Sequence, residues 1–319
     1  MINSTWRESS KNHVNHEQLN NYTNYNKKSE ALFRLHIPEF FKKQIDFSNE
    51  NDPLLLQVLP HNKELIPHAN YINDPVGDLV ARQNKGVIHK YKGRVLLITT
   101  GACAINCRYC FRRVFPYSHN NASSQDWQSS IDYIKDNPDI QEVILSGGDP
   151  LMLSTKILNK LTDKLAELSH IKTLRIHTRI PIVAPNRITK NFLSWLSEIQ
   201  LKKVMVLHCN HANELSNKHH NIFNNLKKTS TQLLNQSVLL KNINDDAATL
   251  IALSQRLFDF GILPYYLHQL DKVKSTKHFR VKNSKAIKLS KKLRQGLPGY
   301  LVPKLVTEIA GKKSKTLLF

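Results

Sequence analysis

The chain has few cysteines, little negative charge and no long apolar run, and each shortage excludes a class of protein. Only 4 of its 319 residues are cysteine, too few for a secreted scaffold held together by disulfides. No uninterrupted apolar run approaches the ~18 residues that span a bilayer. Residues 1–20 are polar and lack the apolar core of a signal peptide. These absences predict a cytoplasmic protein of a reducing compartment.

Acidic residues are also scarce, since 25 Asp and Glu stand against 46 Lys and Arg and give a net charge of +21. A charge of this sign suits a nucleic-acid partner. The lysines are spread along the whole chain among many asparagines, however, which is typical of compositional drift and not of a binding stripe. We therefore expect neither a nucleic-acid nor a membrane partner, and the composition leaves a homo-oligomer open. The hydrophobic share of 40% excludes wholesale disorder.

From Arg94 onward, short apolar runs alternate with helix-length amphipathic segments, which is typical of βα units around a parallel sheet. The predicted strands are Val95–Thr100, Glu142–Ser146, Thr173–His177, Lys203–His208, Leu233–Leu239, Leu263–Leu267 and Leu301–Val306. The predicted helices lie near 125–136, 155–169, 189–199, 214–228, 246–260 and 284–295, with Ser154 and Ser284 as N-caps. The pattern predicts an α/β fold, an incomplete (β/α) barrel whose chemistry gathers at the C-terminal ends of its strands.

The first ninety residues lack this alternation. Residues 1–50 are rich in Asn, Gln, His and Lys, and a turn-rich sequence follows at Asn73–Asp78. We predict an N-terminal helical extension and lead-in arm over residues 1–90 and a barrel over residues 91–319.

Three cysteines, Cys103, Cys107 and Cys110, fall within eight positions just after the first barrel strand. Soft thiolate ligands favour an iron–sulfur cluster or zinc. A structural zinc site needs four closed ligands, and the remaining cysteine, Cys209, follows a different predicted strand. Three thiolates would leave one iron of a [4Fe–4S] cluster open to a small molecule. The residues favour that cluster, with a zinc-containing nucleic-acid-binding module as the remote alternative.

The Cys-x3-Cys-x-aromatic-Cys pattern resembles the radical S-adenosylmethionine enzymes, whose open iron binds that cofactor. Further motifs are similar to those of the lysine 2,3-aminomutase family, at Arg94–Thr100, Cys110–Arg113, Ser146–Pro150, Asn235–Leu240 and Pro264–Tyr266. The short segment after Ser314-Lys315-Thr316 resembles the branch that makes (R)-β-lysine for elongation factor P. The resemblance covers roughly residues 55–319.

This resemblance implies a radical S-adenosylmethionine barrel with three cofactors. Cys103, Cys107 and Cys110 would bind a [4Fe–4S] cluster, and Cys209 would not. The residues that would meet S-adenosylmethionine are Ser146, Gly147, Gly148, Asp149, His208 and Gln236. Asp149 departs from the glutamate that usually ends its motif. The third cofactor is pyridoxal phosphate, which members hold as a Schiff base on a lysine near the C-terminus.

In this chain that lysine would be Lys315, with Lys312 and Lys313 as alternatives, in a loop that has lost most of the family's glycines. Arg94 would meet the phosphate of pyridoxal phosphate. Arg112 would clamp the substrate carboxylate through its guanidinium fork, with Arg113 as its competitor.

The implied enzyme is an isomerase that moves the α-amino group of L-lysine to the β-carbon. A flavodoxin or ferredoxin would supply the electron, and an elongation factor P ligase would use the product. Burying the substrate ε-ammonium unpaired costs several kcal/mol, so a lysine pocket needs carboxylates. The resemblance implies an acidic residue at two positions of such a pocket, and in this chain they are Asp271 and Glu308. An aminomutase for glutamate or arginine is the nearer alternative, and glutamate would require a basic or neutral residue at Asp271.

Overall fold

Ten strands of the described residues form one sheet, in which they follow one another in sequence order. The computed structural model describes Trp6, Lys11, Val14 and residues 19–120 and 127–319. The strands are β1 (Arg82–Asn84), β2 (Val87–Tyr91), β3 (Arg94–Thr100), β4 (Glu142–Gly147), β5 (Thr173–Thr178), β6 (Lys202–His208), β7 (Thr231–Leu239), β8 (Leu263–Gln269), β9 (Lys304–Thr307) and β10 (Thr316–Leu317).

The sheet is parallel from β3 to β9 and antiparallel at both edges, where β1 and β2 precede it and β10 follows it. Strands β3 and β4 are almost continuously buried, as expected of parallel strands covered on both faces. The fold is therefore the predicted α/β partial barrel. The last parallel strand begins three residues later than expected, because Gly299–Leu301 forms a 3-10 turn after Pro298.

The helices of the described residues lie between the strands or in the arm. They are α1 (Lys27–Leu32), α2 (Glu39–Lys42), α3 (Tyr117–Asn120), α4 (Gln128–Lys135), α5 (Thr155–Ala166), α6 (Ile180–Val183), α7 (Lys190–Glu198), α8 (His219–Lys228), α9 (Ala247–Asp259) and α10 (Asn283–Gly296). Within this part of the chain no helix combines the length and apolar character that crossing a bilayer requires.

Two predicted N-caps have different outcomes. The Ser154 side chain accepts a hydrogen bond from the backbone N–H of Ile157 and caps α5, as predicted. The prediction for Ser284 is wrong, because α10 already begins at Asn283, after Lys282. The predicted helix start at residues 125 and 126 lies outside the described residues.

The arm and the barrel share one hydrophobic core. Leu35, Phe41 and Leu55 of the arm are fully buried in the same cluster as Leu97 of β3. The arm also supplies β1 and most of β2, and β2 pairs antiparallel with β3. The arm therefore adds two strands to the barrel sheet. Residues of the arm can therefore reach the inner face of the barrel.

Candidate active site

A cavity of about 480 Å³ lies against one face of the parallel strands. Its wall takes alternate residues from successive strands, which is how one face of a sheet is built. Every residue assigned to the site from the sequence lines it: Arg94, Cys103, Cys107, Cys110, Arg112, Ser146, Gly147, Gly148, Asp149, His208, Gln236, Asp271, Glu308 and Lys315. The chain therefore brings the predicted residues together, and their individual roles stay predictions.

The segment of residues 101–110, which we call the cysteine loop, follows β3 and carries three free thiols on the cavity wall. Burial, together with the neighbouring Cys107, raises the pKa of Cys110 to about 11. The raised pKa favours the protonated thiol. A bound metal would favour the thiolate instead, because metal ligation requires the deprotonated form. Cys209 lies outside the cavity lining, fully buried, with its thiol 3.4 Å from the carbonyl oxygen of His211.

Among the described residues, no three His, Cys, Asp or Glu side chains converge closely enough to hold a single metal ion. A mononuclear zinc site requires such convergence. A four-iron cluster does not, since each cysteine binds a different iron atom. Three thiols that line one cavity fit a cluster of this kind, in which the cysteines bind separate iron atoms.

Arg179, at the end of β5, connects the cysteine loop to a buried polar network. Its Nη1 lies 2.7 Å from both the Cys107 sulfur and the Tyr109 hydroxyl. Its Nη2 donates to a Glu214 carboxylate oxygen at 2.8 Å. The Tyr109 hydroxyl is also 2.8 Å from Nε2 of His208. Sequence reasoning missed Arg179 and Glu214, although a charged residue directly after a barrel strand was an available signal.

The glycine turn after β4 packs directly on the cysteine loop. A Cβ added at Gly148 would lie 2.2 Å from the carbonyl oxygen of Ala102. The backbone N–H of Gly148 donates to the carbonyl oxygen of Thr100 at 2.7 Å. Gly147 has a φ of 123°, a conformation that side chains rarely adopt. Two glycines are thus required for the close approach of this turn.

The Asp149 carboxylate holds the start of the next loop in place. It accepts from the Thr178 hydroxyl and the Arg179 backbone N–H, both at 2.8 Å, and from the Leu151 backbone N–H at 3.0 Å. Burial raises the pKa of Asp149, whereas these donors favour its ionised form. The departure from glutamate therefore supplies a side chain short enough to cap its own turn.

A chain of ion pairs joins Lys315 to Arg112 across the cavity. Glu308 accepts from Lys315 on one oxygen and, at 2.8 Å, from Lys90 on the other. Lys90 also lies 2.5 Å from Asp78, whose other oxygen accepts from Nε of Arg112 at 2.7 Å. Burial opposes ionisation, but the two ammonium groups hold the pKa of Glu308 at about 2. Asp78 and Lys90 belong to the arm, and sequence reasoning missed both.

Asp271 differs from Glu308 in its surroundings. Within the described part of the chain its carboxyl has neither an ion-pair partner nor a hydrogen bond. Burial raises the pKa of Asp271 to about 7, and the nearby Glu308 carboxylate contributes to the rise. The Asp271 carboxylate is therefore available to pair with a cationic group of a ligand.

The part of the cavity wall formed by β3 and β5 is cationic and contains an unpartnered nitrogen. Arg94 lies 4.8 Å from the Tyr91 ring centroid, and Arg175 forms a 2.6 Å ion pair with Glu142. Nε2 of His177 is buried without a hydrogen-bond partner among the described residues. Burial and the neighbouring cations Arg175 and Lys315 lower the pKa of His177. An anionic ligand group such as a phosphate fits this wall.

Comparison with known proteins connects this geometry to a family. Residues 97–204 match the radical SAM superfamily. An L-lysine 2,3-aminomutase of Buchnera aphidicola subsp. Baizongia pistaciae is 48% identical over 286 residues, 90% of this chain and 84% of that protein. L-lysine 2,3-aminomutases of Haemophilus influenzae and Escherichia coli are 46% and 43% identical, over 90% and 91% of this chain and 85% and 84% of those proteins.

Proposed function

This chain belongs to the lysine 2,3-aminomutase family of radical S-adenosylmethionine enzymes, and from that premise we propose that it converts L-α-lysine to (R)-β-lysine. The observation that carries the proposal is the single cavity shared by the three cysteines, the glycine turn, Lys315 and Asp271. An isomerase of this type must hold a cluster, two organic cofactors and a diamine within reach of one another.

The residues present fit the cofactors that the family uses, a [4Fe–4S] cluster, S-adenosylmethionine and pyridoxal phosphate. When bound, these groups supply radical chemistry that side chains cannot. Cys103, Cys107 and Cys110 would hold the cluster, since all three face the cavity. Ser146, Gly147, Gly148, Asp149, His208 and Gln236 would surround S-adenosylmethionine.

Pyridoxal phosphate would occupy the cationic side of the cavity. Lys315 lines the cavity and would carry the cofactor, whereas Lys312 and Lys313 are exposed and do not line it. Arg94 would meet the phosphate, next to the unpartnered nitrogen of His177.

Charge selects the substrate in this proposal. Arg112 is held by Asp78 and the Ser146 hydroxyl, which leaves the outer side of its guanidinium to bind the lysine carboxylate. Asp271 would pair with the ε-ammonium at the other end. Glutamate would place a second carboxylate against Asp271, and the two would repel. Arginine carries a cation that also suits a carboxylate, so it is the competitor that an assay must include.

The reductant and the use of the product complete the proposal. A flavodoxin or ferredoxin would supply the electron, and the similarity of the Lys315 segment to the elongation factor P branch supports a ligase for that factor as the consumer of β-lysine. Three cysteines line the cavity and Cys209 does not, which supports the three-thiolate cluster over the zinc alternative.

The decisive experiment gives the anaerobically reconstituted enzyme L-lysine, L-glutamate or L-arginine, with S-adenosylmethionine, pyridoxal phosphate and dithionite. Chiral chromatography with mass detection should show (R)-β-lysine as the dominant product. Cys107→Ala should lose both iron and activity, whereas Cys209→Ala should keep its iron. Faster turnover of glutamate or arginine would refute the substrate, and the opposite configuration would refute the stereochemistry.

A further inference from the structure

A second, smaller pocket opens on the outer surface, where the arm meets the loops after β7 and β8. Its volume is about 290 Å³. We call its seven lining residues the basic patch: Lys63, Ile66, His68, Lys241, Lys277, His278 and Arg280. Four of these side chains are permanently charged cations, and no acidic residue occurs in the lining formed by the described residues.

Three of the four cations of the basic patch are not neutralised within the described part of the chain. Lys63, Lys241 and Lys277 are exposed and have no carboxylate within ion-pair distance. Nζ of Lys277 lies 3.2 Å from Nδ1 of His68, which is no counter-ion. Ile66 is 51% exposed among them. An apolar side chain in the same lining as three unpaired lysines is suited to an acidic protein surface.

Packed aromatic rings connect the basic patch to the cysteine loop. The ring centroid of His278 lies 4.0 Å from that of Phe279, and Phe279 meets Tyr109 edge-on at 6.1 Å. Tyr109 sits between Cys107 and Cys110 in the chain. The patch is therefore the outer end of a path of only three rings from the proposed cluster. Electron tunnelling weakens steeply with distance, so a reductant must dock where the cluster is near the surface.

We propose that the basic patch is the docking surface for an acidic one-electron carrier protein, an inference that rests on the proposed function. In the transfer, the reduced carrier loses one electron and the oxidised cluster gains it, and no atom or proton changes place. The net charge of +21 adds a long-range attraction for such a carrier. Steering of this kind raises association rates by roughly 10–1000-fold at low salt.

The test compares two charge-reversal variants of the reconstituted protein. Lys241→Glu combined with Lys277→Glu alters the basic patch. Lys156→Glu combined with Lys160→Glu makes the same charge change on exposed positions of α5, outside the patch. Stopped-flow absorbance measures the second-order rate constant for cluster reduction by photoreduced flavodoxin at low and high ionic strength. Dithionite is the small-molecule reductant in a parallel series.

We expect the patch variant to lose roughly tenfold or more in the flavodoxin rate constant at low salt, since steering is removed. The α5 control should lose much less of this rate constant. High salt should narrow the difference in rate constant between the two variants, and dithionite should reduce both variants equally fast. Equal flavodoxin rates for patch and control variants would overturn the proposal. Salt-dependent loss of binding to a structured RNA probe, with unchanged flavodoxin reduction, would overturn it in favour of a nucleic-acid surface. Because cluster reduction is read directly, a wild-type enzyme that fails to convert lysine with dithionite would refute the proposed function separately.

Discussion

Nη1 of Arg179 lies 2.7 Å from the sulfur of Cys107. The two residues come from different barrel units, the end of β5 and the loop after β3. Glu214 balances the guanidinium on its other side. A permanent, buried donor therefore faces one of the three sulfurs proposed to bind the cluster. Hydrogen bonds and charge beside such sulfurs set the reduction potential of an iron–sulfur centre.

We predict that Arg179→Gln makes the cluster harder to reduce. A reduced cluster carries one more negative charge, so loss of the adjacent cation lowers its midpoint potential. Activity should fall roughly 10–100-fold, the usual range for such supporting residues. An EPR-monitored redox titration measures the potential, with iron content as the check on assembly. Arg179→Lys keeps the charge, so its midpoint potential should lie between those of the wild type and Arg179→Gln. An unchanged potential in Arg179→Gln at full iron content would contradict the prediction.

Gly148→Ala should prevent the cysteine loop from packing on the glycine turn. The new methyl carbon would lie 2.2 Å from the carbonyl oxygen of Ala102, which is backbone and cannot rotate away. We expect a loss of roughly 1–3 kcal/mol in the free energy of unfolding, typical of overpacking, together with a reduced iron content. Gly299→Ala is the control, because nothing lies within 4 Å of its added carbon. Equal iron content in both variants would show that the turn does not support the loop.

Lys315 is predicted to carry pyridoxal phosphate covalently. Borohydride reduction of the loaded enzyme followed by peptide mapping should place the pyridoxyl group on Lys315. Lys315→Ala should lose the label and essentially all activity, yet remain folded, because Lys90 still pairs with Glu308. Combined substitution of Lys312 and Lys313 by alanine is the control and should retain the label. A label on either of those two lysines would overturn the assignment.

Asp271→Asn should damage lysine turnover more than Glu308→Gln. Asp271 has no partner of its own among the described residues, so its carboxylate is available to the substrate ammonium, whereas Glu308 already pairs with Lys90 and Lys315. Leaving the buried substrate ammonium without its carboxylate costs roughly 3–5 kcal/mol in binding, whereas Glu308→Gln breaks pairs within the protein and should act mainly on its stability. We therefore expect kcat/KM for lysine to fall by roughly a hundredfold or more in Asp271→Asn. Steady-state kinetics on both variants, matched for iron and pyridoxal content, decide the order. A larger loss in Glu308→Gln would reverse the assignment of the ammonium site.

The pKa of Asp271, about 7, predicts a pH-dependent KM for lysine. Below this pH the free enzyme carries a neutral Asp271 carboxyl, which must lose its proton before it pairs with the substrate ammonium. The ammonium itself stays charged, since its reference pKa is about 10.4. KM should therefore rise as pH falls below about 7, approaching tenfold for each unit. In Asp271→Asn this dependence should disappear. A KM that is flat across this range in the wild-type enzyme would contradict the prediction.

Local patterns were enough to place most strands and the residues at their ends. The bounds of β3 to β8 differ by at most two residues from those predicted, because each of these strands contributes buried apolar residues to the core. Ser284 failed as an N-cap because α10 begins one residue before it, at Asn283, and the N-cap position falls on Lys282, whose side chain makes no capping hydrogen bond.

The supporting residues could not be predicted in the same way. Asp78 and Lys90 precede the first parallel strand. Their importance shows only in the folded chain, where Asp78 pairs with Arg112 and Lys90 pairs with Glu308. Arg179 likewise needs Glu214 and Cys107 from two other loops. No pattern within a single segment encodes pairings between such distant positions.

The ion pair between Lys90 and Glu308 has a consequence for the timing of assembly, because it joins residues 218 positions apart. This contact cannot form until Glu308 has been synthesised, after all of the parallel strands. At the usual pace of translation, about 5–20 residues per second, Cys110 is made roughly 10–40 seconds before Glu308. The three thiols therefore exist well before the wall that carries Glu308 and Lys315. The nascent chain therefore contains all three thiols of the cysteine loop while the other half of the cavity wall is still being synthesised.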